Sequence, residues 1–407
     1  MTKKRYFFTV LILGALTALG PFSIDMYLPG FPAIAQSFHV TTARVSLSLS
    51  SFFVGISVGQ LLYGPLLDRF GRKKPLYVGL VVYIIASIGC FFAANIEQLI
   101  LLRFIQAVGS CAAGVASMAM VRDIFPLKDN AKIFALLILI LGASPMIAPA
   151  TGGYITEVWG WHLIFIILAA MAVLILLTVI FFLPESHQPD PTYSLKPLPI
   201  LNSFFSVFIN PQFYTYTFTG AFAFMGLFVY VAGSPMVFLE VFKVSGTTYG
   251  WIFAGLSIGF VGSSQVNNLL LKKFKSEQIV VVAVVVQTIT TLLFVAGTIS
   301  GLLGLPGTIF MTFIVLSCVG ITNPNASALS LAPFAQNAGT AAALLGAIQL
   351  GLGAVASFAI SFFDTHSTLP MAGTMAISAS IALIILLIGR RFIVNKVQAS
   401  STIVVAH

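Results

Sequence analysis

The sequence predicts an all-α membrane protein in which twelve transmembrane helices form two six-helix bundles. Hydrophobic residues make up 58% of the 407 residues and charged residues only 8%. Soluble domains contain about one half apolar and one quarter charged residues. Apolar runs of about 20 residues, each able to cross a bilayer core of about 30 Å, recur along the whole chain. The basic residues lie in the turns between these runs.

The apolar runs define the predicted spans in chain order. We place them at 6–28, 43–66, 75–94, 97–121, 132–155, 162–183, 212–240, 248–271, 278–300, 305–333, 338–363 and 369–392. A polar, Pro-rich stretch at 183–199 separates six spans from six, because proline cannot continue a neighbouring helix. This spacing predicts an N-terminal bundle at 1–184, a cytoplasmic central loop at 185–210 and a C-terminal bundle at 211–407.

The basic residues predict the orientation. All but three of the 20 Lys and Arg residues fall on one side of the predicted membrane; the exceptions are Arg44, Lys243 and, inside a span, Arg103. The positive-inside rule therefore places both termini in the cytoplasm. We interpret the net charge of +9 as a topology signal and expect no nucleic-acid partner. Cleavage of the N-terminus as a signal peptide would put the basic loops outside, so we expect it to be retained.

The chain shows no pattern typical of a catalytic centre. The five His residues are scattered without metal-ligand spacing, and the three Cys residues fall inside predicted spans, as buried thiols do. There is no nucleophile elbow, phosphate loop or pair of carboxylates. We therefore expect no enzymatic activity, no metal and no cofactor.

The stretch "GPLLDRFGRKK" ends the second span at a cytoplasmic turn. Its first glycine permits close helix approach, and its second suits the turn. Its carboxylate opposes the dipole of its own helix and needs a basic partner or the N-terminus of another helix. We interpret the stretch as a conformational latch, although a solvated positive-inside turn remains an alternative. The latch residues are Gly64, Asp68, Arg69, Gly71 and Arg72.

A weaker copy of this stretch, at 263–278, ends the eighth span. Both copies place Phe among basic residues, which indicates a duplication of six spans. Such repeats, with a site between them, are typical of secondary transporters. Lys272 stands where Asp68 would align, so the sequence does not predict a symmetrical latch.

The fifth span contains two prolines followed by a glycine pair, in "ILGASPMIAPATGGYI". Each proline removes a backbone hydrogen bond, and in a membrane such breaks persist only where neighbouring helices or a cavity satisfy the freed carbonyls. We predict a bent, tightly packed helix that seals the transporter against leak. Ordinary packing of small residues is the alternative. The residues concerned are Gly142, Pro145, Pro149, Gly152 and Gly153.

These motifs resemble those of the major facilitator superfamily. The stretch 64–74 fits the G-x-x-x-D-R-x-G-R-K loop of that superfamily. The stretch 101–114 resembles the fourth-helix motif of its drug–proton antiporters, and 140–155 fits their fifth-helix motif in part, with Ala148 replacing a glycine. Together with the stretches 25–38 and 328–349, the pattern is similar to the Bcr/CflA subfamily of multidrug efflux proteins.

The resemblance implies a proton-coupled secondary transporter of the bacterial cytoplasmic (inner) membrane. It would export lipophilic drugs, amphenicol-like or other antibiotics, by alternating access. Its partners would be the drug, protons and the lipid bilayer, and we expect a monomer. Two alternatives remain on the same scaffold: an exporter of a physiological metabolite or siderophore, and a membrane sensor that does not transport.

Asp25 and Arg103 are isolated charges in predicted spans. At 1.5 Å per residue, Asp25 lies roughly 27 Å along the first span and Arg103 roughly 9 Å along the fourth, which enters from outside. Each would cost about 3 kcal/mol or more alone at mid-membrane, so we predict that they pair. We interpret Asp25 as the proton carrier and Arg103 as the group that controls it. A fixed structural ion pair, or an Asp25 idle among the headgroups, are the alternatives.

The predicted substrate site includes this pair and five further residues. Gln106 and Ser110 share a helix face with Arg103, at steps of three and four. Aromatic and Met surfaces suit varied lipophilic ligands, although contact with lipid or packing in the core is the alternative for any single Phe. A polar amide in a span can bond a ligand or a neighbouring helix. The further residues are Gln106, Ser110, Met146, Phe222 and Gln349.

Overall fold

The computed structural model describes residues 3–190, 197–334, 338–363 and 367–393. In this part of the chain all regular structure is helical, as the sequence predicts. The chain divides into two compact units. Unit 1 comprises Met1–Lys196 and Lys243–Ala254, and unit 2 comprises Pro197–Phe242 and Gly255–His407.

Unit 1 contains seven complete helices in its described part. They are α1 Lys3–Asp25, α2 Phe31–Phe38, α3 Thr42–Phe70, α4 Lys73–Phe91, α5 Ile96–Ile124, α6 Leu127–Trp159 and α7 His162–Phe182. Side-chain caps begin two of the long helices: Thr41 accepts a hydrogen bond from the amide of Arg44 at the start of α3, and Asn95 accepts one from Gln98 at the start of α5. These caps satisfy amides that the first turn of a helix leaves unpaired.

Helices α3, α4 and α5 pack closely through small residues. A Cβ at Gly55 of α3 would lie 2.7 Å from the Phe104 carbonyl oxygen of α5. A Cβ at Gly109 of α5 would lie 2.6 Å from the backbone of Gly79 in α4. Small residues allow this approach in a membrane, where dispersion contacts and hydrogen bonds hold helices together.

Unit 2 contains the remaining helices. They are α8 Pro197–Phe208, α9 Pro211–Ser234, α10 Gly246–Leu270, α11 Ser276–Ile299, α12 Leu305–Leu331, α13 Ala338–Ser361 and α14 Leu369–Gly389; the start of α10 belongs to unit 1. A π-helical segment, Pro235–Val241, continues α9. The core of unit 2 packs apolar side chains of α9 and α11 against α12 and α14, among them Tyr216, Val284 and Leu386.

Ten helices in the described residues are long and apolar enough to cross a membrane. They match ten of the twelve predicted spans. The other two predictions fall on α6 and α10, which are helical over 33 and 25 residues but are not among the ten. The all-helical membrane fold is therefore confirmed, and the count of twelve spans stays a prediction.

Candidate proton-coupling site

Asp25 is the last residue of α1, and its side chain is buried at 5% exposure. It is the only buried carboxyl group in the described part of the chain. None of the described residues forms a hydrogen bond or an ion pair with it. The chain beyond it turns through Leu28–Gly30, where Pro29 prevents α1 from continuing. The carboxyl group is therefore buried at the end of α1 without a charged partner among the described residues.

Arg103, on α5, is fully buried. Its Nη1 donates a hydrogen bond to Gln106 Oε1 at 2.6 Å, and its Nη2 donates to the Ser23 carbonyl oxygen at 2.9 Å. The guanidinium carbon lies 4.6 Å from the ring centre of Tyr27 and 4.2 Å from that of Phe52. Two aromatic faces and two neutral oxygens therefore stabilise the cation.

The predicted ion pair between Asp25 and Arg103 is not present in this structure. No described Lys, Arg or His lies within 4.0 Å of the Asp25 carboxylate. The physical reason is competition. Ser23 offers one of the carbonyl groups that the last turn of α1 leaves unpaired, and this oxygen, with Gln106, takes up both terminal nitrogens of Arg103.

A chain of hydrogen bonds continues from Arg103 into α4. Gln106 Nε2 donates to Ser87 Oγ at 2.7 Å, and Ser87 donates to the Tyr83 carbonyl oxygen. The Tyr83 hydroxyl is 2.6 Å from Ser23 Oγ, so the chain returns to α1. The sequence analysis missed Ser23, Ser87 and Tyr83. The signal was present, since each is a polar group in an apolar span and must find a partner there.

The other predicted substrate residues of unit 1 take no part in this series of hydrogen bonds. Ser110 is buried, with its Oγ 3.5 Å from the position of a Cβ at Gly20, so it faces α1. Met146 on α6 is 37% exposed. In unit 2, Phe222 is partly buried against the core, and Gln349 bonds Asn323. The structure therefore joins only Arg103 and Gln106 of the predicted set by a hydrogen bond.

The predicted latch stretch forms an ion network around Arg72. The guanidinium donates from Nη1 to Asp68 Oδ1 and from Nε to Asp123 Oδ2, both at 2.7 Å. Burial alone would lower the pKa of Arg72, but hydrogen bonds and charges from Asp123 and Asp68 outweigh burial and hold this pKa above its ordinary value. Arg69 lies 5.9 Å from the ring centre of Phe70.

A carboxylate that the sequence analysis missed completes the network. Glu185, after α7, accepts hydrogen bonds from the backbone amides of Arg72 and Lys73, which begin α4. A carboxylate at a helix N-terminus is favoured by the helix dipole. Gly71 has φ +82°, and a Cβ there would lie 3.2 Å from a Glu185 oxygen, so glycine suits this turn on two counts. Gly64 has no neighbour within 4 Å of its Cβ position, which gives no support to the close helix approach expected there.

The predicted antiporter-motif residues all lie on α6. The helix continues through Pro145 and Pro149. A Cβ at Gly152 would overlap the Met26 carbonyl group, directly after Asp25, and one at Gly153 would lie 2.7 Å from the Gly246 carbonyl oxygen in the same unit. The glycine pair therefore brings α6 against the peptide that follows Asp25. Gly142 is half-buried in the same helix.

Comparison with known proteins is consistent with this architecture. Residues 13–358 match the sequence profile of the Major Facilitator Superfamily. The chain belongs to this superfamily. It is thus a multi-span membrane transporter and not an enzyme, and its bacterial relatives indicate a place in the inner membrane.

Two relatives of this superfamily member share most of its length. It is 30% identical to a bicyclomycin resistance protein homolog of Haemophilus influenzae, over 92% of this chain and 94% of that protein. It is 28% identical to the multidrug resistance protein MdtL of Shigella flexneri, over 83% and 84%. The resemblance to drug-efflux proteins of the superfamily is thereby confirmed.

Solved structures of the superfamily share the fold. A D-xylose–proton symporter aligns with a TM-score of 0.73 at 14% identity, over 97% of this chain and 99% of that one. A bacterial homolog of the human lysosomal transporter Spinster aligns with a TM-score of 0.70 at 15% identity, over 96% and 97%. At such identities the likeness shows the fold alone.

Proposed function

We propose that this superfamily member is a drug–proton antiporter that exports lipophilic drugs by alternating access. The names of its relatives, which refer to bicyclomycin resistance and multidrug resistance, support a drug as the exported molecule. In the proposed exchange the drug moves out of the cytoplasm while protons move inward down their electrochemical gradient.

The observation that carries the proposal is the unpartnered burial of Asp25. Burying a carboxylate without a partner is costly, and adding a proton removes that cost. Asp25 is the only described carboxyl group in this situation. In the proposed cycle Asp25 holds a proton in the state seen here and loses it in the other state. Exchange of that proton is what couples the protein to the gradient.

Arg103 positions Asp25 in this proposal. It holds the Ser23 carbonyl group, two residues before Asp25, and it contacts the ring of Tyr27, two residues after it. When Asp25 loses its proton, its charge competes with the Ser23 oxygen for the guanidinium, because two opposite charges attract each other strongly where water is excluded. The exchange of partners would move the end of α1.

The end of α1 contacts α6 through Gly152, so movement there is transmitted to the antiporter-motif helix. We assign α6 the role of a seal and the Arg72 network that of a latch which stabilises one state. One proton moving through 100 mV supplies about 2.3 kcal/mol. This energy sustains roughly a 50-fold gradient of a neutral drug.

Proton release tests the proposal. Chloramphenicol is added to purified protein in weakly buffered detergent solution, and the pH is followed. The wild type is expected to release protons with saturation, whereas Asp25→Asn releases none and in proteoliposomes accumulates no drug against a gradient. The matched control is Asp190→Asn, an exposed carboxylate in the segment after α7. Equal release from the wild type and Asp25→Asn would refute Asp25 as the carrier.

A further inference from the structure

Helix α12 carries the stretch Asn323-Pro324-Asn325, which places two amides on either side of a proline. Pro324 cannot donate a backbone hydrogen bond, so the carbonyl group one turn earlier lacks its helical partner. The two amide side chains have different surroundings. One pairs with α10 in the core of unit 2, and the other pairs with α13 at a half-buried position.

The first amide pair is enclosed. Asn325 Nδ2 donates to Asn267 Oδ1 at 2.7 Å and to the Ile321 carbonyl oxygen at 2.8 Å. The two Asn residues are 1% and 3% exposed. Side-chain amides that bond across neighbouring helices hold them together in a membrane. This pair joins α10 to α12 and has no surface to offer a ligand.

The second amide pair, Asn323 and Gln349, is only half-buried, and we call it the open pair. Gln349 Nε2 donates to Asn323 Oδ1 at 2.9 Å, and both side chains are half-buried. The Nδ2 donor of Asn323 and the Oε1 acceptor of Gln349 have no partner among the described residues. Along the helix axes, Asn323 lies about 12 Å from the end of α12 and Gln349 about 16 Å from the start of α13. Both positions are close to the middle of a bilayer core of about 30 Å.

The open pair presents one neutral donor beside one neutral acceptor. A secondary amide or lactam matches this arrangement, since its C=O accepts from Asn323 and its N–H donates to Gln349. Unit 2 buries no charged side chain in its described part, so nothing there would neutralise a charged ligand. An uncharged amide is therefore the ligand chemistry that satisfies both free groups.

We propose that Asn323 and Gln349 form a specificity subsite that selects uncharged substrates with a secondary amide. The inference rests on the proposed drug export and adds the substrate class. The amide N–H of the ligand would bond Gln349 Oε1, and its carbonyl oxygen would bond Asn323 Nδ2. The two side chains thus have separate and distinguishable effects on binding.

A pair of ligands, one with the amide N–H donor and one with a methyl group in place of that hydrogen, tests the subsite. Binding of chloramphenicol, which has a secondary amide, is compared with binding of its N-methyl amide by calorimetry on purified protein. The wild type is expected to prefer the N–H compound about 5-fold, the value of one neutral hydrogen bond. Gln349→Leu should bring this ratio of affinities to about 1. Asn323→Leu should lower the affinity for both compounds and leave the ratio unchanged.

The matched control is Asn267→Leu, which removes an amide from the enclosed pair. It is expected to lower the melting temperature without changing the ligand ratio. Asn323→Ser and Gln349→Ala serve where a leucine variant does not fold. A ratio that persists in Gln349→Leu, or one that collapses equally in Asn267→Leu, would overturn the subsite.

Transport of tetraphenylphosphonium, a lipophilic cation without an amide, separates the two proposals. If the wild type exports this cation with proton coupling but does not bind chloramphenicol, the amide preference is wrong and drug export stands. If the wild type exports neither compound against a gradient, drug export fails and the subsite fails with it. Export of chloramphenicol with the expected ratios, in preference to the cation, supports both proposals.

Discussion

The two units bury different kinds of polar group. The described part of unit 1 encloses three charged side chains, Asp25, Arg72 and Arg103, each below 9% exposure. In the described part of unit 2, the enclosed polar side chains are all neutral and include the amides of Gln287 and Asn325. Both units otherwise use the same means of packing, small residues that let helix backbones approach.

The difference matters because charges are expensive in a membrane. A charged side chain at the centre of a bilayer costs about 3 kcal/mol or more, whereas an interhelical amide hydrogen bond stabilises by about 0.6 kcal/mol. Charged side chains that are buried in a membrane at such a cost are typical of functional sites, and only unit 1 has them in its described part. We infer that unit 1 contains the proton-coupling groups and that unit 2 contributes neutral hydrogen-bonding groups.

The largest predicted effect is on transport, and it comes from replacing the buried guanidinium of Arg103 with an apolar side chain. In Arg103→Met, Gln106 and the Ser23 carbonyl group lose their donors, but the cost of an unpaired charge is also removed. These effects oppose each other in stability, so we expect the free energy of unfolding to change by less than about 1 kcal/mol. Uphill transport should fall at least about 10-fold, since two charge-assisted hydrogen bonds to α1 and to Gln106 are lost. Drug accumulation in vesicles and thermal unfolding measure the two effects.

The matched variant in unit 2 is Gln287→Leu. It removes a neutral hydrogen bond of 2.9 Å to the Ala223 carbonyl oxygen. We expect it to cost about 1 kcal/mol in unfolding and to leave proton coupling intact. If Gln287→Leu abolished coupling as Arg103→Met does, the division of roles between the units would be wrong.

The second prediction concerns backbone approach, which the two units share. Gly152→Ala forces a Cβ onto the Met26 carbonyl group, and Gly320→Ala forces one onto the Phe260 carbonyl group. We expect each to destabilise by about 1 to 3 kcal/mol, because the neighbouring atom is backbone and cannot rotate away. Only Gly152→Ala should impair proton coupling, since only that contact adjoins Asp25.

The controls are Gly114→Ala and Gly255→Ala, where no atom lies within 4 Å of the added Cβ. Both should be neutral or stabilise by up to about 1 kcal/mol, as alanine favours helix over glycine. Melting temperatures of the four variants and the wild type in detergent measure these differences. If alanine at Gly114 and Gly255 lowered the melting temperature as much as alanine at Gly152 and Gly320, close backbone approach would not be what limits stability.

The sequence predicted the helices and the unusual charges because both depend on local information. An apolar run of about 20 residues must be helical in a bilayer, since only a helix satisfies its own backbone there. A carboxylate such as Asp25 inside such a run is conspicuous without knowledge of the fold. Ten spans and the burial of Asp25 and Arg103 followed from these features, whereas the superfamily followed from the motifs at 64–74, 101–114 and 140–155.

The sequence could not predict which groups meet. The pairing of Asp25 with Arg103 assumed that opposite charges at similar depth must be in contact. It neglected the backbone carbonyl group of Ser23. Every residue has such a group, and the sequence does not indicate which of them a side chain will bind. Likewise Asp123 and Glu185 are far from Arg72 along the chain, and only the packing of α5 and the position of the segment after α7 bring them to it.

The third prediction compares the latch with its second-half counterpart. The double-mutant cycle of Arg72→Gln and Asp123→Asn should give a coupling energy of about 1 to 2 kcal/mol, because this charge-assisted bond is largely screened from solvent. Lys272→Gln, at an exposed position, should change stability by less than about 0.5 kcal/mol. Chemical unfolding of the purified variants measures both. A coupling energy near zero in the cycle would mean that Arg72 is not a latch.

The smallest predicted effect concerns the exposed ion pair of unit 1. Arg44 Nη2 lies 3.1 Å from Glu97 Oε1, and the two side chains are 50% and 63% exposed. Water and salt screen such a pair, so we expect Arg44→Gln to leave the melting temperature unchanged at physiological ionic strength. The same variant measured at low salt provides the control, since any contribution of the pair should emerge only there. A salt-independent loss of stability in Arg44→Gln would show that exposed charges matter as much as enclosed ones, and burial would then cease to distinguish the functional charges of unit 1 from the rest.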